Sequence, residues 1–302
     1  MNFAPHPFTL RQLQYAVAVA EELSFRRAAE RCRVAQPSLS AQVAQLEDAL
    51  GVQVFERTQR KVIVTAAGHH VLERAKRLLL ASDDLGQAAK LAGNPLEGTL
   101  RLGIIPTISP YLLPNVTRKV RARFTKLTLA WAEEKTEVVA ARLSAGELDG
   151  AVVALEADIA DVDREILARD PFVLVTAPEH PLAAKTTPVT AQELNGEEML
   201  LLDDGHCFRT QALEVCSTLR AREGEFRATS LSTLVQMVAG GAGITLLPAL
   251  AVPTETKRAR LHVRPLAGRA AFRTIAMVWR KQSPLAAPLQ QLAAVIKDAY
   301  PT

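Results

Sequence analysis

The sequence is short of cysteine, of aromatic residues and of long apolar runs, and each shortage excludes something. Three cysteines in 302 residues are too few for a disulfide framework, and an odd number reads as small buried hydrophobes or one reactive thiol in a reducing compartment. Aromatic side chains make up only 5%. No apolar run reaches the roughly 20 residues of a membrane span. The opening MNFAPHPFTL lacks the basic region and apolar stretch of a signal peptide, so a cytoplasmic location without membrane contact is expected. Charge of one sign is also scarce: 36 basic against 32 acidic residues leave a net +4, a weak pointer to an acidic partner. What is present is ordinary, since 48% hydrophobic and 23% charged residues fit a globular chain and not a collagen-like or disordered one. The length suits two or three domains with sizeable cores.

Along residues 10–23, LRQLQYAVAVAEEL places Leu10, Leu13, Val17 and Ala20 at helical spacing. Ser24 then caps FRRAAERC, a short helix with Arg26, Arg27, Glu30 and Arg31 facing water and Ala28, Ala29 and Cys32 small enough for close contact. A third helix, PSLSAQVAQLEDALG, starts with Pro37 near its first turn, runs Leu39, Val43, Leu46 and Leu50 along one face and stops at Gly51. Three helices with so short a turn before the third describe a helix-turn-helix. Two strands, Val52 to Phe55 and Lys61 to Thr65, would flank a tip bearing Arg57, Arg60 and Lys61, the form of a basic wing. A recognition helix enters the major groove N-terminus first, which places Gln36, Pro37, Ser38, Ser40 and Gln42 at base edges or phosphates, with the wing cations as further contacts to a double-stranded operator.

From Thr65 to Leu91 there is no proline, and Val71, Ala75, Leu78, Ser82, Leu85, Ala89 and Ala92 recur at steps of four and three. That seam predicts a helix roughly 40 Å long that pairs with its copy in a second subunit or packs on its own domain. Gly93-Asn94-Pro95-Leu96-Glu97-Gly98 marks its end. The expected layout is a DNA-binding domain over 1–64, a dimerising linker helix over 65–92, a hinge at 93–98 and an effector domain over 99–302.

Beyond residue 98, strand-like runs alternate with helical ones. Strands are placed at TLRLGII, LTLAW, DGAVVAL, PFVLVTA, EMLLL, AGITLL, HVRPL and TIAMVW, and helices near 110–123, 136–145, 206–219, 230–239 and 285–299. The alternation implies parallel-rich sheets with helices on both faces. About 200 residues suit two lobes, the first over 99–168 and 268–302, the second over 169–267. Ligands in such modules sit between lobes, near strand C-termini.

In LLLDDGHCFRTQALEVCSTL, Cys207 opens a predicted helix, where the helix dipole, His206 and Arg209 favour thiolate. Cys216 falls on the apolar face of the same helix, about 13 Å away at ~1.5 Å per residue, whereas a disulfide needs Cα atoms roughly 4.4 to 6.8 Å apart. Bridging would unfold the helix. The pair therefore reads either as two inert core cysteines or as a redox switch. Neither a zinc site nor a hydrolase built on Cys207 and His206 is supported, and no metal or cofactor is expected. Cys32 reads as a packing residue, His69 and His70 as solvent or interface residues. Thr107 and Thr136 also suit helix caps after strands, and Arg209 and Arg273 suit ion pairs with Asp203, Asp204 or Glu214.

The run SFRRAAERCRVAQPSLSAQVAQLEDALGVQVFERTQRKVIVTAAG resembles the LysR-type transcriptional regulators through AQPSLS, LEDALG, FER and TAAG jointly. That resemblance implies a multidomain chain: a helix-rich winged helix-turn-helix, a long linker helix and a two-lobed α/β effector domain like a type 2 periplasmic binding protein. It further implies a homotetramer built as a dimer of dimers. Ala41 stands where many members carry Arg. GIIPTISPYLLP, GHCFRTQALEVC, FRATSL, GITLLPALAVP and RTIAMVWR are similar to the hydrogen-peroxide-sensing members. By that similarity Cys207 is the peroxidatic and Cys216 the resolving cysteine. The same similarity implies that Thr107, Thr136, His206 and Arg209 surround and polarise the peroxide and that Arg273 keeps the thiolate charged. Thr210 departs from the Asp often found there. The implied function is a regulator, not an enzyme, that senses hydrogen peroxide through a Cys207–Cys216 disulfide, switches its tetramer, activates antioxidant genes with RNA polymerase and is reset by glutaredoxin or thioredoxin. The alternative is a regulator binding a small molecule between its lobes, with inert cysteines; a peroxide-consuming thiol enzyme with a DNA-binding head is the rival from another class.

Overall fold

A computed structural model describes residues 6–57, 61–91, 96–156, 159, 161–204, 208–213, 222–267 and 271–301. The chain forms two compact units, Met1–Ala92 and Gly93–Thr302, called here the head and the effector unit. No described helix is long and apolar enough to cross a membrane.

In the head, Thr9 opens α1 (Leu10–Glu22) with a capping box: its Oγ1 accepts the Gln12 N–H while the Gln12 side chain accepts from the Thr9 N–H. Ser24 caps α2 (Phe25–Cys32) by accepting the Arg27 N–H. Helix α3 (Gln36–Leu50) carries Pro37 in its first turn and ends at Gly51, whose φ of 67° is the left-handed conformation that glycine adopts without a Cβ clash. Leu13, Ala16, Val19, Ala28, Leu39, Val43 and Leu46 meet in one core. The wing is narrower than the sequence pattern suggests: β1 (Phe55–Arg57) pairs antiparallel with β2 (Val62–Val64). The Glu47 carboxylate takes the N–H groups of Val54 and Phe55 at 2.8 and 3.0 Å, so the segment from Val52 to Val54 stays outside the ladder.

Helix α4 (Ala66–Leu91) starts at Thr65, whose Oγ1 accepts the Gly68 N–H and donates to the Gln53 carbonyl. A Cβ on Gly68 would lie 2.3 Å from the Val54 carbonyl oxygen, so close backbone approach dictates this glycine. The predicted seam divides. Ala75, with Leu72 beside it, is buried in the head's own core and Val71 packs against that core, while Leu78 and Leu85 are 49% and 73% exposed.

The effector unit contains β3 (Gly98–Ile104), α5 (Ser109–Arg123), β4 (Leu127–Glu133), α6 (Thr136–Ser144), β5 (Gly150–Ala154), β6 (Val162–Thr176), β7 (Glu198–Leu202), β8 (Arg222–Ala228), α7 (Leu231–Ala239), β9 (Thr245–Pro248), α8 (Val252–Arg258), β10 (His262–Pro265), β11 (Phe272–Arg280) and α9 (Ala286–Ala299). Strands β3–β4, β3–β5 and β7–β8 pair parallel, as the alternation implies. The long strands depart from that pattern: β11 joins β5 and β6 antiparallel, and β6 joins β9 and β10 antiparallel. Both lobes share β6. Its first part, to Pro171, runs against β11, and from Phe172 onward it pairs with β9 and β10. The sequence pattern misses the first half of β6 and all of β8 because DVDREILARD and REGEFRA carry too many charges to read as buried strands. The predicted helix over 206–219 is described only over 208–213.

Candidate DNA-reading face and effector site

Gln36, Pro37 and Ser38 are exposed on the first turn of α3, and Ser40 and Gln42 half-buried behind them. No side chain caps that turn, so its polar end stays open to solvent, the environment a phosphate uses at a helix N-terminus. Lys61 is exposed at the start of β2's flank. The backbone of Arg57 pairs with Val62; its side chain and the whole of Arg60 lie outside the described residues. Cys32 is partly buried against the core, and burial pushes its thiol up, away from thiolate. His69 and His70 are exposed.

In the effector unit, Thr107 and Thr136 follow the C-terminal ends of the neighbouring parallel strands β3 and β4, and both are buried. Neither is the expected cap. Ile108 and Lys135 hold the N-cap positions, and neither makes a side-chain cap bond. Thr107 instead receives a guanidinium: Arg273 Nη1 donates to its Oγ1 at 2.8 Å and Nη2 to its carbonyl at 3.1 Å. Arg273 is fully buried, as is its ion-pair partner Asp170 at 2.9 Å. Pairing of Arg273 with Asp203, Asp204 or Glu214 is thus corrected to Asp170, because β11 runs beside β6 in a register that sets residues 273 and 170 opposite each other. The other Asp170 oxygen accepts the Leu250 N–H at 2.9 Å. Burial first, then the Asp170 charge and hydrogen bond, push the Tyr300 hydroxyl up, so it stays a protonated donor to this carboxylate. Asp170 and Tyr300 escape sequence reading; the one available signal is a charge placed directly before the apolar run PFVLVT.

Arg209 fixes the end of β7. Its guanidinium reaches Asp204 at 2.9 Å, Glu223 at 2.7 Å and the Leu202 carbonyl at 3.2 Å. Glu223 foremost, with Asp204, holds the Arg209 pKa above its ordinary value. Arg227 adds contacts to the same two carboxylates, closing a quartet of two cations and two anions. Of the expected partners Asp204 is present, Glu223 is a partner the sequence did not mark, and Glu214 lies outside the described residues. Phe208 stacks edge-on against Phe172, with ring centroids 5.2 Å apart. Thr210 is exposed. His206, Cys207 and Cys216 lie outside the described residues.

Residues 10–69 match the bacterial regulatory helix-turn-helix protein, lysR family, and residues 93–301 match the LysR substrate binding domain. The chain belongs to the LysR family. Among its relatives is the DNA-binding transcriptional dual regulator OxyR of Escherichia coli (strain K12), 43% identical over 95% of this chain and 94% of that protein. Two solved structures match along nearly the whole chain. Full-length Pseudomonas aeruginosa OxyR with a cysteine-to-aspartate change is 36% identical, with a TM-score of 0.77 over 97% of this chain and 96% of that one. A cysteine-to-serine mutant of Corynebacterium glutamicum OxyR, with hydrogen peroxide bound, is 36% identical, with a TM-score of 0.66 over 98% and 93%. The winged head and the two-lobed α/β effector fold are therefore those of a LysR-family, OxyR-like DNA-binding transcriptional regulator.

Proposed function

We propose that this regulator activates transcription in response to hydrogen peroxide, through Cys207 and Cys216. The carrying observation is the 43% identity with OxyR along 95% of the chain, in a sequence that has both cysteines nine positions apart. The Cys207 thiolate attacks one peroxide oxygen, the O–O bond breaks, and the departing hydroxide takes a proton to leave as water. Cys216 sulfur then attacks the sulfenic sulfur, the S–O bond breaks, and a second water leaves. Two thiols lose two electrons and one peroxide is reduced. Thr107, Thr136, His206 and Arg209 surround the peroxide. Thr107 Oγ1 accepts from Arg273, which leaves its own hydroxyl hydrogen for donation to a bound peroxide; a donor oriented in advance costs little reorganisation during reaction.

Gln36, Pro37, Ser38, Ser40 and Gln42, with Arg57, Arg60 and Lys61, read the operator. Residues 65–92 form the dimerising helix, 93–98 the hinge, and 99–302 the effector domain with its lobes at the limits given above. The oxidised homotetramer, a dimer of dimers, changes its DNA footprint and engages RNA polymerase at antioxidant genes, and glutaredoxin or thioredoxin reverses it. The test is thiol counting and peptide mapping after equimolar peroxide. A Cys207–Cys216 disulfide is expected, and its absence would leave a small-molecule receptor with inert cysteines as the better account.

A further inference from the structure

The helix-turn-helix carries no surplus of positive charge. Residues 10–51 hold five arginines against five acids, with no lysine or histidine, and α3 supplies no cation of its own. Double-stranded DNA presents a negative charge about every 1.7 Å, so the arginines that are not already engaged within the protein decide how its phosphates are met. Four are engaged. Arg11 Nε donates to the Tyr15 hydroxyl at 2.7 Å, with the guanidinium over that ring. Arg26 pairs with Glu30 at 3.6 Å, Arg27 with the carboxylate and carbonyl of Glu22, and Arg31 with Glu21 at 2.8 Å and Glu22 at 3.4 Å. Arg33 is exposed, and its guanidinium has no hydrogen-bond or ion-pair partner among the described residues.

The backbone at Arg33 is equally distinctive. Helix α2 ends in a Schellman turn, in which the Arg33 N–H donates to the Glu30 carbonyl at 3.1 Å and the Val34 N–H to the Ala29 carbonyl at 3.0 Å, while Val34 packs against the core. The turn holds Arg33 at φ 56° and ψ 46°, the left-handed conformation that glycine usually fills because a Cβ is crowded there. No contact within the head accounts for a long cation at this position, three residues ahead of Gln36 at the start of α3.

We infer that Arg33 binds a backbone phosphate of the DNA and anchors the entry of α3 from the turn, in place of a cation on α3 itself. The inference rests on the operator-reading role proposed for α3. A guanidinium matches a phosphate with two parallel N–H donors, and Arg33 has no carboxylate to give up when it does so. Arg26, Arg27 and Arg31 must each exchange a carboxylate for a phosphate and leave a glutamate unpaired beside the DNA, which reduces what they gain.

The test measures binding of the full-length chain to a mixed-sequence DNA duplex by fluorescence anisotropy across a salt series, because a phosphate contact does not depend on base sequence. Arg33→Gly removes the cation and relieves the left-handed backbone, so far-UV circular dichroism is expected to stay at the parent's level while binding weakens. The slope of log affinity against log salt is expected to flatten by about 0.9 for each bound head, which shrinks the variant's deficit about threefold per head between about 50 and 200 mM salt. Arg33→Ala is expected to flatten it equally, and Arg33→Lys to restore it. Two controls separate the cation from its surroundings. Leu23→Gly relieves a similar backbone, at φ 47° after α1, without removing a charge, and Arg31→Ala removes a charge that Glu21 and Glu22 already hold; both are expected to keep the parent slope. A parent-like slope in Arg33→Gly, or an equal flattening in Arg31→Ala, would overturn the inference while leaving α3 as the reading helix. A parent chain that does not bind the duplex would instead remove the reading it rests on, and the inference with it.

Discussion

Of the fifteen polar or charged side chains buried among the described residues, Gln12 lies in the head and fourteen lie in the effector unit. The head's ion pairs, such as Arg26–Glu30 and Arg31–Glu21, sit in solvent, where each contributes about 0 to 1 kcal/mol. Its core is assembled from aliphatic and aromatic side chains, and its polar groups remain on the surface for a ligand that never enters the fold. The effector unit places charge inside: Asp170, Arg273, Arg264 and Glu255 are each at most 1% exposed. Buried polar groups depend on one another for satisfaction, so a change at one end of such a network is felt at the other. Surface groups lack that coupling. A unit that docks on DNA is served by the first arrangement, and the second suits the proposed conversion of a small chemical event into a rearrangement.

Arg273→Ala tests this contrast most severely. Removing one partner of a buried ion pair leaves the other charge uncompensated, at a cost of about 3–5 kcal/mol. Both tryptophans, Trp131 and Trp279, lie in the effector unit, so tryptophan fluorescence in urea reports on this unit alone. Replacing both partners, with Arg273→Met and Asp170→Leu together, is expected to cost less, because no unpaired charge remains and only neutral donors such as the Leu250 N–H lose their acceptor. A loss under about 1 kcal/mol for Arg273→Ala would show that the pair is not the strut its burial implies.

The same contrast governs what the sequence disclosed. The head was legible almost throughout, because its signals are local: Ser24 three residues before Arg27, Pro37 in a first turn, Gly51 after Leu50, apolar residues at helical steps. Only the wing's edge misled, since Glu47 reaches amides seven and eight residues away. In the effector unit the parallel strands were legible for the same reason. The site's supports were not. Asp170 and Arg273 are 103 residues apart, and Tyr111 and Glu255 are 144 apart; no periodicity joins such positions, and only the β6–β11 register or a helix packing between lobes brings them together. Thr107 and Arg273 were marked by family resemblance, but that Arg273 is anchored by Asp170 became visible only in three dimensions.

Tyr111→Phe is a gentler probe of the buried network. The Tyr111 hydroxyl donates to Glu255 at 2.8 Å across the lobes, and Glu255 keeps bonds from Ser232 and Arg258. Loss of one donor to a charged group is expected to cost about 1.5 kcal/mol. Burial first, then the Glu255 hydrogen bond and charge, hold the Tyr111 pKa above its ordinary value. A raised phenol pKa means stability that is complete below about pH 10 and is lost as pH rises through the unfolded value and beyond. The parent should therefore lose more stability than Tyr111→Phe in alkaline urea titrations. Equal alkaline losses would place the hydroxyl outside the network.

Arg60→Ala is expected to leave stability within about 0.5 kcal/mol of the parent, the smallest effect on folding, and to act on DNA alone. If the wing cation meets a phosphate, deleting it releases one fewer counterion, so binding weakens and the slope of log affinity against log salt flattens by about 1. The net charge of residues 1–68 is only +2, from 8 basic and 6 acidic groups, so this slope cannot come from a diffuse excess of positive charge and must be traced to individual contacts. An unchanged slope would move Arg60 off the backbone. A large loss of stability would break the contrast itself, because it would mean that the head, like the effector unit, depends on a charge for its fold.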